Sequence, residues 1–239
     1  MIIHDLTLML VLSISSAVGA VVLFAITRMK VNAAGTKLWG AGFAFLAISY
    51  GSHFLLSDFP YPERSFVFNI CLLSGHALIM AGTWHFVGHL MATKKMAILF
   101  IPIIVVVFAL TFIWPQRETK LLIIGIWTIL VRLMYIWILC CRNIQYPSEK
   151  RVSALAGIIA LFEVICYIVF TYNAVLGNIN VLGLQSNTIA IIGWTGALLG
   201  TIVGVPILLL LSTSRFISDL DKAAHTDSLT NLLNRRGFY

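Results

Sequence analysis

Seven stretches of about twenty mostly apolar residues, separated by short connections that hold most of the charge, leave this chain few ways to fold. They lie at roughly 6–27, 37–57, 67–91, 96–114, 119–141, 152–175 and 187–213, each long enough for a helix to cross a bilayer. Of the 239 residues, 60% are hydrophobic and only 10% are charged, with a mean hydropathy of +0.97. Soluble domains carry about 25% charged residues, and one of this size has too little interior to hide so much apolar surface. The expected fold is therefore all-α, a polytopic membrane protein with seven transmembrane helices.

The connections set the orientation. Turn residues punctuate them: Phe59-Pro60-Tyr61-Pro62-Glu63-Arg64 between spans two and three, Trp114-Pro115-Gln116-Arg117 between four and five, and Gly177-Asn178-Ile179-Asn180 after span six. Lys and Arg favour cytoplasmic loops because basic segments resist translocation. One set of alternate connections holds Arg28, Lys30, Lys37, Lys94, Lys95, Arg142, Lys150 and Arg151; the opposite set holds only Arg64, Arg117 and Lys120. The N-terminus is thus expected outside and the C-terminus in the cytoplasm. The first span lacks a basic leader and is followed directly by Arg28 and Lys30, so it reads as an uncleaved anchor. The formal charge of +7 would suggest a nucleic-acid partner in a soluble chain. Here its loop-by-loop placement points to the lipid bilayer as partner, and not to nucleic acid. Cys71, Cys140, Cys141 and Cys166 all fall in apolar stretches and form neither a metal spacing nor a disulfide framework.

Ionisable residues inside lipid are costly and face a bundle interior or a cavity. Arg132 of span five and Glu163 of span six lie at nearly equal depth on consecutive antiparallel helices, which predicts an ion pair. Each sits on a small or polar face, with Thr128 and Tyr135 beside Arg132, and Ala160 and Tyr167 beside Glu163. His76 shares a stripe with Asn69 and Thr83 close to that depth, and His53 lies nearer the outside. A cavity open to the outside and lined by His53, His76, Arg132 and Glu163 would suit a small anionic or protonatable ligand, or direct pH sensing. A purely structural pair is the other reading. His85 and His89, spaced i, i+4, are weak metal candidates. Paired haem ligation by His53 and His76 is hindered by a depth difference of roughly 7 Å. No cofactor is expected in the membrane region. Gly196, Gly200 and Gly204 form a small-residue stripe on span seven that suits close helix packing, either within one bundle or between two copies.

After Thr213 the character changes. Residues 214–225 are charged and helical in pattern, and Leu210, Thr213, Ile217, Leu220 and Ala224 form a short a/d seam. Asp227 is then a good N-cap for a new soluble helix that carries Leu229, Leu232 and Leu233 on one face. The segment resembles the opening D-x-L-T-x-L-x-N-R-R of the GGDEF domain of diguanylate cyclases. It matches at Asp227, Leu229, Thr230, Leu232, Asn234, Arg235 and Arg236, and departs at Ser228, where Pro is common, and Asn231, where Gly is common.

The resemblance implies three parts: a seven-helix transmembrane sensor domain at 1–213, a cytoplasmic signalling helix or linker at 214–225, and the start of a truncated GGDEF domain at 226–239. In that family two GTP molecules are condensed into cyclic di-GMP across a homodimer, with Mg2+ or Mn2+ held by carboxylates downstream of the opening motif. Those catalytic residues are not in this chain. The resemblance therefore implies the signal-input half of a nucleotidyltransferase in a bacterial inner membrane, answering an unidentified small ligand, proton or membrane signal. A transporter or channel, or a membrane redox protein carrying haem, remains the alternative.

Overall fold

The structure, a computed structural model, describes residues 5–28, 34–88, 92–141, 147–176 and 188–226. His89 and the segment from Asp227 to Arg236 lie outside the described residues. The described residues form helices α1 (Asp5–Arg28), α2 (Thr36–Leu55), α3 (Tyr61–Phe86), α4 (Ala92–Phe108), α5 (Arg117–Cys141), α6 (Pro147–Val175) and α7 (Thr188–His225).

Five of them, α1, α3, α5, α6 and α7, are long and apolar enough to cross a membrane. The other two differ for physical reasons. Helix α2 has 20 residues, and its buried positions include Gly42, Ser49, Gly51 and Ser52. Those hydroxyls are satisfied internally: Ser49 donates to the Phe68 carbonyl at 2.7 Å, and Ser52 to the Ser49 carbonyl at 2.7 Å. Helix α4 offers a shorter apolar stretch, Phe100–Ile113. Its last turn, Ala109–Ile113, widens into a π-helix, and the Trp114 amide reaches back to the Ala109 carbonyl at 2.8 Å. Pro115 bars the preceding residue from helical geometry, so the helix ends there.

Several boundaries depart from the sequence expectation, among them the end of α3 at Phe86 rather than near residue 91. Helix α3 starts at Tyr61 rather than near residue 67. Pro62 in its first turn needs no amide partner, and Glu63 complements the positive helix start. By the same logic α6 starts at Pro147, with Glu149 in its first turn. Helix α7 runs unbroken through the expected boundary at 213–214. Its 38 residues span about 57 Å at 1.5 Å per residue, nearly twice the ~30 Å hydrocarbon core.

The helices close into a ring. Helix α1 packs on α2, α2 on α3, α3 on α5, α5 on α6, α6 on α7, and α7 back on α1, while α4 lies against α3. Leu12, Leu23, Trp39, Leu46, Leu73 and Met80 are buried within. Ile14, Val18, Ile158 and Ile165 face outward, as apolar surface does where lipid is the solvent. Between α2 and α3 the backbones approach closely. Gly35 caps α2 with φ of 96°, a left-handed conformation that glycine adopts without strain, and it abuts the Gly82 backbone. Trp39 then reaches across to donate to Thr83 Oγ1 at 3.1 Å.

One polar clamp fixes the far end of α7. Arg215 donates through Nε and Nη2 to the two carboxylate oxygens of Glu149 on α6, each at 3.1 Å. Its Nη1 donates to the Phe86 carbonyl, and its guanidinium lies 3.8 Å from the Phe86 ring centroid. Glu149 is fully buried. Beyond the clamp, Phe216, Ile217 and Leu220 are exposed. Arg215→Ala is expected to lower stability by about 3–5 kcal/mol, because it leaves the Glu149 carboxylate buried without its partner. It should also raise amide hydrogen exchange in α7 from Arg215 onward. Unchanged exchange there would show that the clamp does not hold the helix.

Candidate functional site

The interior of the ring is polar at mid-height. Arg132 on α5 and Glu163 on α6 form an ion pair, with Nε to Oε2 at 2.9 Å and Nη2 donating to Oε1 at 3.2 Å. Their side chains are only 11% and 2% exposed. The phenols of Tyr50, Tyr135 and Tyr167 lie within electrostatic reach of both charges. Tyr50 and Tyr167 lie within electrostatic reach of each other as well. His76 of α3 is buried and stands edge-on to Tyr167, with ring centroids 6.1 Å apart at 89°. Neither of its ring nitrogens has a partner among the described residues. Arg132, Glu163 and His76 thus share one cluster, with Tyr167 as the link. His53 is not part of it; its ring packs on Phe68 at 5.2 Å.

The glycine stripe of α7 explains how Glu163 is held. A Cβ at Gly200 would overlap the Glu163 carboxylate, and one at Gly196 would stand 2.6 Å from Cys166 Cβ. A turn earlier, a Cβ at Gly193 would stand 2.7 Å from the Phe170 ring. The stripe therefore seats α7 on α6 of the same chain, while a Cβ at Gly204 would stand 3.9 Å from Phe43 of α2. Gly196 and Gly200 are covered from within, which removes this face as a contact between copies. Exposed apolar positions of α7 include Leu199 and Ile202 beside the stripe and Leu210, Phe216, Ile217 and Leu220 further along the helix.

Beside the cluster lies an open cleft with a cavity volume of about 90 Å³. All six ring helices line it: Met9 from α1, His53 from α2, Phe68 from α3, Lys120 from α5, Phe170 from α6 and Trp194 from α7. Tyr50, Thr128 and Tyr167 line it too. The cavity expected from the sequence was to be lined by His53, His76, Arg132 and Glu163. Of these, His53 alone lines the cleft. Tyr50 and Tyr167 line the cleft and also lie within electrostatic reach of the ion pair. The pair itself borders a much smaller cavity of about 20 Å³, against Ala160, Gly200 and Gly204.

Two polar groupings escaped the sequence reading. Lys120 is 5% exposed, and its ammonium donates to Ser65 Oγ at 3.0 Å. Asn69 Nδ2 donates to the same oxygen at 3.3 Å. Ser65 extends the Asn69–His76–Thr83 stripe by one turn, so its face was legible; its partner on α5 was not. The second grouping is the Arg215–Glu149 clamp, whose members lie 66 positions apart. His85 is half-buried at the opposite end of α3, with Nδ1 unpartnered. No three His, Cys, Asp or Glu side chains converge among the described residues.

Comparison with protein-family models, curated proteins and solved structures finds no match to this chain.

Proposed function

We propose that this chain is the membrane-bound signal-input region of a diguanylate cyclase, spanning a bacterial inner membrane seven times with its N-terminus outside. The observation that carries the reading is the continuity of α7. One helix runs from the polar interior, where Gly200 rests on Glu163, through the Arg215 clamp to His225, and the D-x-L-T opening segment follows at Asp227. A change in the packing around Glu163 would then shift or rotate the helix that leads into the output domain. The exposed seam at Leu210, Thr213, Ile217, Leu220 and Ala224 suits pairing of two such helices in a homodimer. GTP and its Mg2+ or Mn2+ belong to the catalytic domain beyond Tyr239.

The test is the reading frame after Tyr239. A G-G-[DE]-E-F loop within about one domain, roughly 150 residues, is the expected result, and its absence would overturn the reading. A transporter is the second reading, favoured by an open cleft above a buried ion pair. It predicts solute flux through the purified protein in sealed vesicles, which an input region does not.

A further inference from the structure

The positive-inside pattern leaves three basic residues on the opposite side, Arg64, Arg117 and Lys120, and all three gather at one place. Arg117 and Lys120 line the cleft. Arg64 lies within electrostatic reach of His53 on its wall. Lys120 is the telling member. It is nine-tenths buried, and a buried ammonium is costly unless an anion faces it. Yet among the described residues it pairs with no carboxylate; its one hydrogen bond goes to a neutral hydroxyl. The carboxylates nearest in sequence, Glu63 and Glu118, are exposed. Below this cationic end the walls are flat and apolar: the rings of Phe68, Phe170 and Trp194 meet edge to face or tilted, with centroids 6.2–6.3 Å apart. Pockets of this kind, mostly apolar with a few convergent polar groups, are how small ligands are held.

We infer that the cleft binds a small amphipathic carboxylate, its anionic head on Lys120, Ser65 and Asn69 and its apolar body between Phe68, Phe170 and Trp194. Such a ligand supplies the charge that Lys120 lacks and removes apolar wall from water. Its foot would meet Tyr50 and Tyr167, the two residues that also reach the Arg132–Glu163 pair, which gives binding a physical route to α7. That signalling role rests on the sensor reading above. Binding itself is measured without any cyclase output, so the two fail separately.

The experiment is calorimetric titration of the purified chain in detergent with 3-phenylpropanoate, with decanoate, and with uncharged 3-phenylpropanamide. Saturable binding of a carboxylate and at least tenfold weaker binding of the amide are expected, the scale of one charge-assisted hydrogen bond. Preference for phenylpropanoate points to a soluble aromatic acid, and preference for decanoate to a fatty acid from the bilayer. Lys120→Met should weaken carboxylate binding at least tenfold while leaving the melting temperature of the unliganded protein equal or higher, because an unpaired buried charge has gone. Lys120→Arg, which keeps the charge, should retain binding within a few-fold. Absence of saturable binding to the unaltered protein would overturn the inference, as would equal affinity for acid and amide, or a Lys120→Met variant that binds as tightly as its parent.

Discussion

Replacing Gly200 by leucine is expected to unseat α7 and leave little folded protein. Even one added carbon at this position overlaps the Glu163 carboxylate, and that carboxylate cannot retreat without leaving Arg132. Two penalties therefore combine. Overpacking a close helix contact costs about 1–3 kcal/mol, and separating a buried ion pair costs about 3–5 kcal/mol more. The sum is comparable with the whole stability of a typical domain, about 5–15 kcal/mol. Gly204 is the internal control. Its nearest neighbour would be Phe43 at 3.9 Å, ordinary contact, and alanine is a better helix former than glycine by about 1 kcal/mol. Gly204→Ala should be neutral or slightly stabilising. Size-exclusion profiles and melting temperatures in detergent would compare the two. Equal recovery and melting of Gly200→Leu and Gly204→Ala would contradict this account of the stripe.

The ion pair itself gives the second large effect. Arg132→Met strands a carboxylate that is 2% exposed, and Glu163→Leu strands a guanidinium that is 11% exposed. Each single change is expected to cost about 3–5 kcal/mol, because the remaining charge is buried without compensation. The double change removes both charges and replaces them with apolar groups. It should recover most of the loss, since buried pairs exchanged for packed apolar residues are often neutral. The signature is strong non-additivity in a double-mutant cycle. Additive losses would mean that the two side chains do not depend on each other.

Much of the architecture was legible because it follows from local composition. The apolar runs located the helices, and equal depth on consecutive antiparallel helices predicted that Arg132 and Glu163 would meet. What was not legible depended on contacts between helices distant in sequence. The spacing of Gly196 and Gly200 marked a face made for close approach, but spacing cannot say whether the partner is α6 of the same chain or a second copy. Lys120 entered the reading only as one of three basic residues on the sparse side, and its Ser65 partner lies 55 positions away. Pro60 and Pro62 read as loop, although proline at a helix start costs nothing, so α3 began earlier than expected. The walls of the cleft depend on contacts between distant helices as well. His53 lines it with tyrosines from α2 and α6, but His76, Arg132 and Glu163 do not.

The central claim is that the polar interior governs a cytoplasmic GGDEF domain through α7. The most direct test is cyclic di-GMP formation from GTP by membranes containing the protein of the complete reading frame, unaltered or as the Arg132→Met, Glu163→Leu double variant, at matched protein amounts. The account predicts product from the unaltered protein and a rate changed several-fold in the double variant, which keeps its fold but loses the interior charges. No product from a protein with an intact catalytic signature, or identical rates from the two, would contradict it.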